Sequence, residues 1–498
     1  MKLLFPMPTK LLHLFLLLLT SSFLLAQPCR EVVAFYPSWK WYDRGRLVNP
    51  STIDYSKYTV INYAFFSPEK DGAISLFDPL ADKTILLGKI NEAAPKAYRK
   101  NKKIVSRWHV ANTSLVNKAH QNGVKVLISI GGWTMSENFS IIAASEKKRQ
   151  RFARNCGELI RIYNIDGIDI DWEYPGYKTQ KGKAADKENF TLLIADIKRV
   201  FDILEKQSGK QLLLTADFGA GASHMANIEW EKVSPLLDHI NIMTYDFYGS
   251  RPSRTNHHSP LYAPKRGVEG YDLDSSIRRL MATYHVPSYK INIGLAFFGR
   301  TQITKGKADI HVASYRKTDT KIFSKDKGTP NYYNISASIN KFNYRWDEYA
   351  EVPYLKGKKS HTFVTFEDER SIKKKAQYIL DNNLAGAIVW DITGDYFENK
   401  KHPGTIEKTP LATALKETLC QTEVVAYAER PSAGAALYSL PQYWSPITRK
   451  SFVPRMAYQS DIPKKFKRKL KKRRKKKHRR KKKKNRDIAP KRYFDGGW

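Results

Sequence analysis

The sequence is poor in sulfur, in negative charge and in long apolar runs. Three cysteines in 498 residues, Cys29, Cys156 and Cys420, are too few and too dispersed for a metal cluster or a disulfide framework, so the fold must stand on a hydrophobic core. Cys29 and Cys420 bracket most of the chain; a bond between them in an oxidising compartment and a set of free buried thiols are both open readings. No segment beyond residue 26 reaches about 18 consecutive apolar residues, which excludes a further membrane-spanning helix. No Gly-rich phosphate loop follows the first strand-like segment, which counts against a doubly wound nucleotide-binding sheet. No repeat of solenoid period is present either.

Acidic residues are outnumbered, 48 Asp and Glu against 86 Lys and Arg, for a net charge of +38. The imbalance is local. Residues 463–498 hold 21 Lys and Arg against two Asp, a net of +19 and half the total excess. The almost wholly basic run 464–486 repels itself and is expected to be disordered, and 421–462, rich in Pro, Ser, Ala and Tyr, reads as a linker or loose extension. Such a tail binds polyanions at low salt. It has no base-reading motif, and Phe466 is its only aromatic before Tyr493, so anionic cell-surface polymers are expected partners rather than nucleic acid. A solvated tail with no dedicated partner is the other reading.

At the other end, Lys2 and Lys10 precede an apolar run over 11–26 that exits through Leu24-Leu25-Ala26. This is the pattern of a secretory signal peptide over 1–26, with an uncleaved anchor as the alternative. The segment Ala26-Gln27-Pro28 before Cys29 does not form a lipoprotein cleavage box. The expected product is a secreted monomer, extracellular or periplasmic, with no transmembrane span.

Eight short β-branched or apolar segments, 32–36, 60–65, 124–130, 167–171, 212–217, 239–244, 291–296 and 386–390, alternate with stretches long enough for helices. Several end in polar or aromatic groups, among them Asp217. This βα alternation predicts an α/β fold, a (β/α)8 TIM barrel over 30–300 and 382–420 with its functional face at the C-terminal strand ends. The gap between the seventh and eighth segments far exceeds an ordinary connection. It predicts a small α+β insertion over 301–381, with strand-like patches such as 361–366 and a returning helix over 371–380.

The fourth segment carries the chemistry: Asp166-Gly-Ile-Asp169-Ile-Asp171-Trp-Glu173. Residues two apart on a strand share a face, so Asp169, Asp171 and Glu173 point one way and Ile168, Ile170 and Trp172 the other. Carboxyls this close cannot all ionise cheaply. Their titrations are coupled, and the outermost can hold a proton near neutral pH as a general acid must. No His accompanies the cluster, which argues against a metal. Asp166 is out of phase and is assigned a structural role at the strand start.

This octad resembles the signature of glycoside hydrolase family 18, the chitinase family. Leu127-Ile-Ser-Ile-Gly-Gly-Trp133, Met243-Thr-Tyr-Asp-Phe-Tyr-Gly249, His258-Ser-Pro-Leu-Tyr262, Gly294-Leu-Ala-Phe-Phe-Gly-Arg300 and Gly386-Ala-Ile-Val-Trp-Asp391 resemble further family segments in order, and the insert resembles the family's insertion domain. The resemblance implies substrate-assisted, retaining hydrolysis of chitin or chitooligosaccharides without metal or cofactor. Glu173 would protonate the glycosidic oxygen, Asp171 orient the 2-acetamido group, Asp169 share the proton load and Tyr245 hydrogen-bond the acetamido oxygen. Asp246 would hold the distorted sugar and Trp390 floor the site. Trp133, Met243, Tyr36, Phe65 and Arg300 are further candidates for lining the cleft, while Ser129, Gly131 and Gly132 would shape the third strand end. The same machinery serves hydrolases of N-glycans or peptidoglycan, and a non-catalytic chitin-binding lectin shares the barrel but typically lacks the acid.

Overall fold

The computed structural model describes residues 29–88, 112–249 and 252–420; the segments read above as signal peptide, linker and basic tail lie outside them. Eight parallel strands, Glu31–Pro37, Val60–Pro68, Lys125–Gly131, Gly167–Asp171, Leu213–Gly219, His239–Met243, Ile291–Ala296 and Gly386–Trp390, pair each with the next. The first pairs with both the second and the eighth, which closes the barrel. A short strand, Ile74–Leu76, adds antiparallel to the end of the second.

Alternation along each strand divides the core in two. Outward residues such as Val32, Ala34, Ile128, Ile168, Ile170, Ile240 and Val389 pack under the helices in one large apolar cluster. Inward residues Val33, Phe35, Val60, Ala64, Phe65, Leu127, Leu213 and Ile388 form a smaller apolar filling inside the barrel. Strands buried on both faces need apolar residues at both parities, which is why these segments read as nearly continuous hydrophobic runs. Where an inward position is polar, the choice is conspicuous: Ser129, Asp169, Asp171, Thr215, Asp217, Asn241 and Asn292 are all buried.

Between the seventh and eighth barrel strands the chain builds a separate four-stranded antiparallel sheet. Its order is Phe342–Asp347, Val352–Gly357, Thr362–Thr365, Arg300–Ile303. The helix Glu369–Asp381 then leads back, started by a capping box in which the Asp368 carboxylate accepts from the Ser371 N–H and the Ser371 hydroxyl from the Asp368 N–H. It packs on the last described helix, Pro410–Leu419, and on the eighth barrel strand. A Cys29–Cys420 disulfide, with Cα atoms 4.6 Å apart, joins the two ends of the described chain. Among the described residues no helix is long and apolar enough to cross a membrane.

Candidate active site

The fourth barrel strand runs its acids up the barrel axis. Asp169 is fully buried and well supplied with donors: the hydroxyls of Ser129 and Thr215 at 2.6 and 2.5 Å, and the Asn241 amide at 3.3 Å. Asn241 in turn accepts from Asn292 at 3.0 Å, so a polar layer crosses five strands at this level. Burial nonetheless pushes Asp169 above the usual carboxyl range. Asp171, one step higher, is 4% exposed, and its Oδ1 meets no donor among the described residues. Burial first, then the charges of Glu173 and Asp169, push it well above the carboxyl range.

Glu173 lies at the mouth, half-buried. Burial, reinforced by the charge of Asp246, pushes its carboxyl up to about 7, against stabilising hydrogen bonds from Tyr174 and the Trp133 backbone. Its backbone is pinned from below, since its N–H donates to the Ser136 hydroxyl at 2.8 Å and that hydroxyl donates to the Asp171 and Gly132 carbonyls. The small residues beside it have a steric reason. A Cβ on Gly131, whose φ is +117°, would lie 2.1 Å from the Asp171 carbonyl oxygen, and one on Gly132 would lie 2.6 Å from the Phe65 ring. The third strand therefore approaches the acids more closely than any side chain would allow.

Tyr245 and Asp246 follow the sixth strand. Tyr245 is surrounded by Asp217, Asp171, Glu173 and Asp246, and burial above all raises its hydroxyl well past the usual phenol range. It fits because the facing residue is Gly294, where a Cβ would come within 2.7 Å of its ring. Asp246 takes both arms of the Arg300 guanidinium at 2.6 Å, with His258 Nδ1 at 3.7 Å. Its burial alone would raise the carboxyl, but Arg300 and His258 outweigh that and hold it well below the usual range. Arg300 also donates to Thr329, so it acts as the clamp on Asp246.

Trp390, ending the eighth strand, stacks on Phe65 at 5.7 Å and 18° and touches Phe35 and Trp39, with Met243 packed on the same inner cluster. Together they make an aromatic floor next to the acids. Trp133 is half-buried beside Tyr177. Tyr36 is not in this group. It lies on the outward parity of the first strand, fully buried, stacks on Tyr63 and donates to the Val48 carbonyl at 2.8 Å. Its expected place in the cleft is taken by its neighbour Phe35. Asp166 sits at the opposite end of the strand from Glu173, accepting from the Val126 N–H and pairing with His120 and Lys210, each at 2.7 Å.

Sequence reasoning missed three groups. Tyr174, next to Glu173, hydrogen-bonds its carboxyl and stacks on His224 at 4.1 Å. Asp217 was visible as a polar strand end, and two-residue parity with the inward Leu213 and Thr215 would have placed it inside the barrel. Phe35 was hidden by the apolar character of both faces. Among the described residues no group of three or more His, Cys, Asp or Glu side chains is arranged to hold a metal.

The family model described as "Glycosyl hydrolases family 18" matches residues 31–395. Chitinase A1 of Niallia circulans is 33% identical over 398 residues, 73% of this chain and 56% of that protein. Chitotriosidase-1 of Mus musculus is 32% identical over 283 residues, 55% of this chain and 59% of that protein. The chain thus spans little more than half the length of these two relatives. Among solved structures, the chitinase ChiA74 of Bacillus thuringiensis superposes with a TM-score of 0.66 at 28% identity, over 80% of this chain and 71% of that one. On the match over 31–395 and the order of its strand-end motifs, the chain belongs to glycosyl hydrolases family 18.

Proposed function

We propose that this protein is a secreted chitinase that cleaves β-1,4 linkages between N-acetylglucosamine units with retention, using the substrate's own acetamido group as nucleophile. The observation that carries the reading is the placing of Glu173, whose carboxyl burial pushes up to about 7, one strand step above an Asp171 oxygen that is buried and unpartnered among the described residues. A protonated Glu173 donates to the glycosidic oxygen as the bond breaks. Asp171 Oδ1 accepts the acetamido N–H, and the acetamido carbonyl oxygen closes on the anomeric carbon to give an oxazolinium ion. The Tyr245 hydroxyl donates to that oxygen, and the Asp171 carboxylate offsets the positive charge. Glu173, now ionised, removes a proton from the water that opens the ring. Trp390 and Phe65 offer an apolar platform to a pyranose ring, and Asp246, locked by Arg300, supplies a fixed acceptor at the cleft wall. The Cys29–Cys420 bond supports passage through an oxidising compartment.

Product analysis on chitin oligomers, a glycoprotein and peptidoglycan tests the reading, with Glu173→Gln as control. The expected result is β-anomeric products from chitin oligomers, none from their fully deacetylated counterparts, and about 10²–10⁴-fold slower release from the variant. Cleavage of deacetylated oligomers, or full activity in Glu173→Gln, would sink it. Products from glycoprotein or peptidoglycan alone would move the substrate to those polymers.

A further inference from the structure

The fifth barrel strand carries a buried carboxyl for which the reaction above has no use. Asp217 points into the barrel two residues beyond Thr215. Thr215 is in register with Asp169, and Asp217 with Asn241. It is 3% exposed. Its carboxyl lies against that of Asp169. The other titratable groups facing it are Asp171 from the fourth strand and Tyr245 from the end of the sixth. Asn241, its partner in register, favours the Asp217 anion weakly, while its amide is turned to Asp169 at 3.3 Å. Neither Asp217 oxygen accepts a hydrogen bond of good geometry from a described donor, and both are shut off from water.

The two touching carboxyls are therefore provided for unequally. Asp169 collects three donors of good geometry, and Asp217 only a weak share in the Asn241 amide. An ionised carboxylate buried without donors is among the costliest groups a protein can hold, and two in contact repel as well. One proton between them removes both penalties and creates a charge-assisted O–H···O⁻ hydrogen bond. With the donors placed as they are, the anion belongs on Asp169 and the proton on Asp217.

We propose that Asp217 is a positioning residue that stays protonated in the resting enzyme, donates its O–H to Asp169, and so spares Asp171 a third neighbouring negative charge at the moment it must face the oxazolinium cation. The directions of titration agree: burial first, then the charges of Asp169 and Asp171, raise Asp217 well above the usual carboxyl range. The catalytic consequence rests on the acetamido reading of the site; the protonation itself does not.

Two variants of the full chain separate the possibilities. Asp217→Asn keeps a neutral donor toward Asp169, whereas Asp217→Ala removes it. In the infrared difference spectrum of wild type minus Asp217→Asn, taken near neutral pH without substrate, a protonated-carboxyl stretch is expected. With a chitin oligomer as substrate, the acid limb of kcat in Asp217→Ala is expected to move up by about one pH unit, roughly a tenfold loss on that limb, because Asp169 and Asp171 now hold their protons more tightly. Asp217→Asn is expected to bring the limb back. No stretch in the difference spectrum, an unmoved limb in Asp217→Ala, or a limb in Asp217→Asn shifted as far as in Asp217→Ala would each overturn the proposal. If no acetamido substrate is turned over at all, the infrared result still decides where the proton sits, so failure of the substrate reading is distinguishable from failure of this one.

Discussion

At the scale of single residues, Glu173 combines two demands that oppose one another. As a general acid it must carry a proton at working pH, and burial provides for that by raising its carboxyl from the ordinary 4.5 to about 7. Activity is therefore expected to fall as pH rises through about 7, where the acid is lost, and Glu173→Gln should lower kcat by about 10²–10⁴-fold. The same shift has a stability sign. A group with a raised folded pKa favours folding below its unfolded value and loses that contribution as pH climbs through the folded one. The wild type bears a charged, half-buried Glu173 at pH 8, whereas the glutamine does not. Thermal unfolding should therefore show Glu173→Gln more stable than wild type at pH 8, with the gap shrinking toward pH 4.5. Equal unfolding temperatures at both values would mean that burial does not set this carboxyl. Much of this residue chemistry was legible in the sequence, because parity alone puts Asp169, Asp171 and Glu173 on one face and Asp166 off it. Parity does not say which face is inside when both are apolar, and that is why Tyr36 was read into the cleft where Phe35 stands.

At the scale of elements, the Asp246 clamp is braced by a helix outside the barrel sheet. Lys375, on the returning helix Glu369–Asp381, is fully buried, ion-paired with the buried Glu367, and donates to the Ser259 carbonyl and hydroxyl at 2.6 and 2.9 Å. Ser259 follows His258, which faces Asp246, so this lysine ties the helix to the loop behind the Asp246 clamp. Burial pulls the Lys375 ammonium below its ordinary value, with Glu367 opposing. Removing one partner leaves a buried charge alone, so Lys375→Met is expected to cost about 3–5 kcal/mol in urea unfolding, and adding Glu367→Leu should return much of that loss. A single variant as stable as wild type would show that the pair is not desolvated. The helix itself was readable from the apolar spacing of Ile372, Ala376 and Ile379. Lys375 was not, because a lysine on a helix is ordinarily solvated, and only the fold brings Glu367 and Ser259 around it. The strands of the insertion, by contrast, announced themselves through the length of the gap they fill and the alternation over 361–366.

At the scale of the whole molecule, βα alternation was enough to specify a closed barrel, since eight parallel strands need seven crossovers of one hand and leave few other closures. The covalent closure was not legible: three cysteines allow several states, and only coordinates place Cys29 and Cys420 side by side while leaving Cys156 a free, buried thiol. That bond spans 391 residues of sequence, so it removes a large loop-closure entropy from the unfolded chain, a model-dependent gain of about 3–5 kcal/mol. Cys29→Ser paired with Cys420→Ser should lower the urea midpoint accordingly, while mild reductant should lower the wild type and leave the double variant unmoved. The three thiols also differ in access. Cys156 is fully buried, and burial raises its thiol far above the ordinary value, so an alkylating agent should add nothing to the native oxidised protein. It should add two labels after mild reduction, and a third only on unfolding. Two labels without reductant, or midpoints identical with and without the bond, would mean that the barrel ends are held by packing of the helix Pro410–Leu419 alone, and the disulfide would lose its part in the stability of the fold.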